Sequence, residues 1–198
     1  MPVWHDQIPY HFNANIHPIK VNNIKTVNRR RSIRLKGYDY SGSGLYFITI
    51  CTWNHINLFG EIENEQMIIS RCGEIAEREW LRTAELRPRV NLHEFIIMPN
   101  HMHGIIEINC RGTTRRARKA PLKERFGKPV ENTILTIIRS YKAAVTKNVR
   151  ELGCDSNIHI WQKNYFEHII RNEESYLKIS EYIMTNPIKW SLDKYFGE

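Results

Sequence analysis

Two apolar runs, Phe95-Ile96-Ile97-Met98 and His101-Met102-His103-Gly104-Ile105-Ile106-Glu107-Ile108, meet at Pro99-Asn100. Proline has no backbone N–H to give to a sheet ladder, and asparagine tolerates turn backbone, so a strand ends there. The pair reads as two antiparallel strands joined by a tight turn. Upstream, Leu45-Tyr46-Phe47-Ile48-Thr49-Ile50-Cys51 is β-branched and aromatic and follows the punctuation Ser41-Gly42-Ser43-Gly44; it predicts a buried strand. Between these strands, Phe59-Gly60-Glu61-Ile62 and Met67-Ile68-Ile69 flank Glu63-Asn64-Glu65 as a small hairpin. Residues 74–86 then read as a helix with Ile75, Ala76, Trp80 and Leu81 on its apolar side, closed by Pro88.

The clearest helix covers 131–152, where Ile134, Ile138, Tyr141 and Val145 recur at 4-3-4 spacing before Gly153. Ile158-His159-Ile160-Trp161 is expected to be a last strand, and 166–171 to lead into a final helix over 173–184, before Asn186-Pro187. No internal repeat appears. The order strand, hairpin, helix, strand, strand, helix, strand, helix implies an α+β fold. It is a ferredoxin-like antiparallel sheet with helices packed on one face, plus the small hairpin as an insertion.

Charge divides the chain. Of a net +8, five basic residues and no acid lie in 29–36 (Arg29, Arg30, Arg31, Arg34, Lys36). Eight more lie in 111–128, among them Arg115, Arg116, Arg118 and Lys119, against the single acid Glu124. The rest of the chain is net acidic, so the positive field is local, as a surface for a polyanion requires. Residues 1–37 read as a basic N-terminal extension and 38–198 as a single domain. No stretch approaches the roughly 20 apolar residues that cross a bilayer, so no membrane partner is expected. The first ten residues lack the basic and apolar regions of a secretory signal. Cys51, Cys72, Cys110 and Cys154 have no metal-finger or disulfide spacing, which suits free thiols in a reducing cytoplasm.

Alternate residues of a strand share a face, so His101 and His103 project side by side. Two neutral imidazoles can hold one divalent cation and leave positions open for substrate oxygens. Spacing alone is equally met by two histidines on a half-exposed strand. Tyr141, with Arg139, Lys142 and Lys147 near it in sequence, is a candidate nucleophile, because a phenol attacks only when its phenolate is favoured. Its place on the apolar face is equally met by a core residue, and Tyr165, Tyr176, Tyr182 and Tyr195 are nearly as eligible for the chemistry.

Three segments in this order resemble the single-tyrosine HUH transposases, most closely the REP-associated tyrosine transposases. They are Met98-Pro99-Asn100-His101-Met102-His103-Gly104, then Arg139-Ser140-Tyr141-Lys142, then 161–171 together with Tyr182-Ile183-Met184-Thr185-Asn186-Pro187-Ile188-Lys189-Trp190. The resemblance spans roughly residues 31–190. It implies a Mg²⁺ or Mn²⁺ ion on His101 and His103, attack by Tyr141 on a phosphate of single-stranded DNA, and a covalent 5′-phosphotyrosine that a 3′-hydroxyl can reverse. It also implies hairpin DNA as partner and a monomer or homodimer. Arg29, Arg30, Arg31, Arg34, Arg115, Arg116, Arg118, Lys119, Arg139 and Lys142 would contact DNA, mainly its phosphates. Trp53, Trp161 and Tyr165 are candidates for stacking on unpaired bases, with core packing as the alternative for each.

One departure stands out. The family takes a third ligand, Gln or Asn, one turn after the tyrosine, and that position is Val145. His168 is the substitute named here, with Glu167 and Gln162 as further candidates. Two other functions stay open at this stage: a catalytically silent binder of hairpin DNA, and a metal-dependent phosphodiesterase that uses water.

Overall fold

The computed structural model describes residues 43–109, 133–153, 159–193 and 195–196, all within one compact unit, Ile33–Glu198. In chain order the elements are β1 (Gly44–Cys51), β2 (Gly60–Glu63), β3 (Gln66–Ile69), α1 (Arg71–Glu85), β4 (Val90–Met98), β5 (His101–Ile108), α2 (Ile134–Glu151), β6 (Phe166–Ile170) and α3 (Glu173–Thr185). Short 3-10 turns cover Trp53–His55 and Trp190–Leu192.

The sheet runs β4-β5-β1-β6, every neighbour antiparallel, and β2 pairs with β3 apart from it. This is the strand order of a ferredoxin-like domain, as the sequence predicts, with the β2–β3 hairpin inserted after β1. The hairpin turns through Asn64 and Glu65, both at positive φ (50° and 63°). That left-handed pair matches the twist of the strands it joins.

β1 is bonded on both sides, and its last six residues are buried. Tyr46, Ile48 and Ile50 enter a core with Met102, Ile106 and Ile108 of β5, with Ile75, Ala76 and Trp80 of α1, and with Ile137, Ile138, Tyr141 and Val145 of α2. Phe47 faces the other way, with Ile105, Ile170 and Ile183 of α3. Period-2 alternation thus makes two cores, one on each face. Here the structure corrects the sequence reading: α1 and α2 cover one face, but α3 lies on the other.

Two further expectations differ. Of the strand expected over 158–161, the described residues 159–161 form none; Trp161 makes a single bridge to Thr52. The sixth strand is β6, whose Phe166 and His168 pair with Thr49 and Phe47. The helix ends are capped as their sequences allow. Ser70 accepts from Gly73 N at α1, Thr133 and Thr136 form a reciprocal box at α2, and Asn172 accepts from Ser175 N at α3. Gly104 admits no side chain, because a Cβ there would stand 2.5 Å from Trp80 Cζ2. The indole therefore lies against the backbone of the histidine strand, on the face away from the histidines.

Candidate metal centre

β5 starts directly after the Pro99-Asn100 turn, with Met98 paired to His101. Alternation sends His101 and His103 to the α3 face, beside Thr49 and Cys51, their partners on β1. Both rings are buried, at 0% and 1% exposure, and their Nε2 atoms stand 3.0 Å apart.

Asn100 sets the protonation of the first ring. Its Nδ2 donates to the carbonyls of His55 (3.1 Å) and Tyr195 (2.8 Å), which turns Oδ1 toward His101 Nδ1 at 2.9 Å. An amide oxygen only accepts, so Nδ1 carries the hydrogen and Nε2 presents a lone pair. Thr49 Oγ1 lies 2.8 Å from His103 Nδ1. When that hydroxyl accepts, the second Nε2 also presents a lone pair, and two lone pairs so close favour a shared cation.

Asp193 completes the group: one carboxylate oxygen and one nitrogen from each histidine all lie within 4.8 Å of one another. Tyr182 reaches in from α3, its hydroxyl 3.1 Å from His103 Nε2 and 3.3 Å from Asp193 Oδ2. Burial, then the charge of Asp193, push this phenol up to about 12. One turn on, Asn186 is 2% exposed and donates from Nδ2 to Asp193 Oδ2 at 3.3 Å. Its Oδ1 is buried with no hydrogen-bond partner among the described residues. A buried acceptor left so costs about 1–3 kcal/mol, which ligation of a cation would relieve. Two imidazoles and a carboxylate are a donor set for a divalent cation, with the Asn186 amide beside them.

Aromatic rings close the site. Phe47 stacks on His103 at 5.3 Å, while Tyr195 and Trp190 lie 4.6 Å and 5.9 Å from His101.

No protein-family model matches the chain. An uncharacterized protein from Haemophilus influenzae is 44% identical over 173 residues, covering 86% of this chain and 94% of its own length. The chain belongs to that protein's family. Among solved structures, a REP-associated tyrosine transposase bound to a REP hairpin superposes with a TM-score of 0.51 at 20% identity. The match covers 81% of this chain and 76% of the transposase. This likeness establishes the shared fold: a four-stranded antiparallel sheet with three helices.

In this family member the sequence-predicted site residues part company. His101 and His103 come together as expected. Tyr141 does not join them. It lies on the opposite face of the sheet, 2% exposed, edge-on to Trp80 at 5.2 Å, and its hydroxyl donates to Ala76 O at 3.1 Å. Complete burial and the nearby Glu79 hold that phenol well above its ordinary value. Val145 is core. His168 is exposed on β6 opposite Phe47, outside the convergent group, and Glu167 pairs with Ile48 on the other face. Gln162 Nε2 meets His55 Nε2 at 2.6 Å instead of the histidine pair.

Of the DNA-contact candidates, Arg139 is exposed on α2. Lys142 donates to the carbonyls of Gln162 and Asn164, both at 2.8 Å, and burial draws its ammonium down to about 8. Arg29, Arg30, Arg31, Arg34, Arg115, Arg116, Arg118 and Lys119 lie outside the described residues. Sequence reasoning missed Asn186 and Asp193 as site residues and ranked Tyr182 only as an alternative to Tyr141. The signal was present for two of them: Tyr182 and Asn186 are one helical turn apart, the spacing the resemblance sought on α2.

Proposed function

We propose that the chain is a metal-dependent enzyme that nicks and rejoins single-stranded DNA through a covalent 5′-phosphotyrosine, with Tyr182 as nucleophile. The observation that carries this reading is the Tyr182 hydroxyl, 3.1 Å from Nε2 of His103 and on the same side of the sheet as the His-His-Asp group. His101, His103 and Asp193, joined by Asn186, would hold Mg²⁺ or Mn²⁺. The chemistry a divalent cation held by these residues would supply is polarisation of a phosphate oxygen and offset of the charge developing in phosphoryl transfer. The resemblance asks for Gln or Asn one turn after the nucleophile. After Tyr141 on α2 that residue is Val145; after Tyr182 it is Asn186, which caps the end of α3.

The chain's own groups supply the remaining chemistry. Asp193 Oδ2, 3.3 Å from the Tyr182 hydroxyl, stands within reach of its proton. Asp193 takes the proton and the Tyr182 oxygen attacks phosphorus. A tyrosine–phosphate bond forms, the P–O3′ bond breaks, and the leaving 3′-oxygen takes up the proton that Asp193 accepted. Attack by another 3′-hydroxyl reverses these steps and joins strands. Asn100 and Thr49 hold both imidazoles in fixed orientation throughout.

Hairpin DNA is the substrate class this reading favours, because the transposase of shared fold is bound to a REP hairpin and the basic segments suit phosphates. With His101 and His103 buried beneath the rings of Tyr195 and Trp190, those two side chains must swing aside for a phosphate to enter. The test is a labelled hairpin oligonucleotide incubated with Mn²⁺ and run under denaturing conditions. A protein–DNA adduct that chelator abolishes is the expected result. Binding without an adduct would make the chain a silent hairpin binder.

A further inference from the structure

Of the three aromatic residues proposed for base stacking, the structure separates one from the others. Trp161 is partly buried against the main core, with Nε1 donating to Lys142 O at 3.1 Å, and Tyr165 packs against the same core. Trp53 is 44% exposed. Its one ring contact among the described residues is His159, an exposed imidazole with its centroid 5.4 Å away.

An indole so exposed is usually left mobile, yet this one is held. Asn54 and His55 follow it at φ 50° and 51°, consecutive left-handed residues that are not glycine. Such backbone costs about 1–3 kcal/mol per residue and persists where surrounding bonds over-determine it. Here Trp53 N donates to Ile160 O (2.9 Å), Thr52 Oγ1 to Ile56 O (2.8 Å) and Asn100 Nδ2 to His55 O (3.1 Å). The same bonds fix where the side chain leaves the backbone. Thr52 N donates to Asn100 O, and Cys51 pairs with His101, so Trp53 leaves the sheet at the end where the histidines stand. Two residues on, His55 stacks on Tyr195, which lies against His101.

We infer that Trp53, backed by His159, is a stacking subsite for an unpaired nucleobase of single-stranded DNA, beside the histidine site. The inference deepens the function proposed above and rests on it for the identity of the polymer. A base is the fitting occupant because an exposed indole beside the histidine group offers a flat face on which any unpaired base can stack.

The test uses two fluorescein-labelled probes of equal charge: a twelve-nucleotide oligothymidylate and a strand of the same length in which every base is replaced by an abasic tetrahydrofuran. Phosphate contacts are common to both probes, so they cancel in the comparison. The wild type is expected to favour oligothymidylate. Trp53→Ala should lose roughly 5- to 100-fold in affinity for it and little for the abasic strand, in line with the usual worth of one stacked base. Trp53→Phe should retain most of the preference and His159→Ala should lose part of it, which keeps the test intact if Trp53→Ala folds poorly. A wild type without preference, or a Trp53→Ala variant that weakens both probes equally or neither, overturns the subsite. Hairpin nicking that proceeds with no dependence on Trp53 in the oligothymidylate assay sinks the subsite alone. A Trp53-dependent preference without any covalent adduct sinks the nicking reading alone.

Discussion

The side-chain oxygen of Asn100 lies 2.9 Å from Nδ1 of His101, held there because the same amide's nitrogen is committed to two backbone carbonyls. The turn residue that ends one strand therefore also fixes which nitrogen of the next strand's histidine faces His103. Asn100→Ala removes both effects. Loss of an outer partner of a ligating histidine typically costs about 10- to 100-fold in metal affinity, and that is the loss expected for Mn²⁺ by titration calorimetry. Stability should fall by about 1–3 kcal/mol, since the carbonyls of His55 and Tyr195 lose a donor. Unchanged Mn²⁺ affinity would detach Asn100 from the site.

Tyr141 and the histidines occupy opposite faces of the sheet, so Tyr141→Phe should leave adduct formation at the wild-type rate. The variant removes only the hydroxyl that donates to Ala76 O. Its expected cost is about 0.5–1.5 kcal/mol, measured by denaturant unfolding. Loss of the adduct with the fold intact would return the chemistry to α2.

Lys142 gives a pH dependence with a definite sign. Burial lowers its ammonium from 10.5 to about 8 in the folded chain. Below the folded value both states are charged, and folding bears the full cost of burying the ammonium. Between the two values the unfolded chain holds a proton that the folded chain has shed, so stability rises with pH across that window. Subtracting Lys142→Met from wild type removes every other titrating group. The difference in unfolding free energy should move in favour of wild type from pH 8 to 10.5. A flat difference would contradict the assignment.

Tyr195 lies 4.6 Å from His101 and shields it. Tyr195→Ala should speed adduct formation severalfold at saturating Mn²⁺, provided the hairpin substrate enters from that side. A slower reaction, in a variant that still binds Mn²⁺, would mean that the ring positions the site instead of covering it.

Much of the fold was legible because period-2 alternation and turn residues are local. Leu45–Cys51, the Pro99-Asn100 turn and the β2–β3 hairpin all stand where their residues predict. The histidine pair was legible for the same reason. The proposed nucleophile was not. The stripe Ile134, Ile138, Tyr141, Val145 says that a helix buries one face, but nothing in it says on which side of the sheet the helix lies. On α3 the corresponding residues, Tyr182 and Asn186, lie in a segment with the weaker apolar stripe, where Leu177, Tyr182 and Met184 are all exposed. β6 was missed because its first three residues, Phe166 to His168, alternate exposed and partly buried at a sheet edge. Asp193 lies beyond every quoted motif, and only the return of the chain after α3 brings it to the histidines.

The most direct measurement identifies the residue that carries the DNA. The covalent adduct formed on a hairpin oligonucleotide in Mn²⁺ is digested with protease and nuclease, and the nucleotide-bearing peptide is mapped by mass spectrometry. The expected peptide contains Tyr182, and Tyr182→Phe yields no adduct while still binding Mn²⁺ and hairpin DNA. A nucleotide on Tyr141, or an undiminished adduct in Tyr182→Phe, would contradict the central claim.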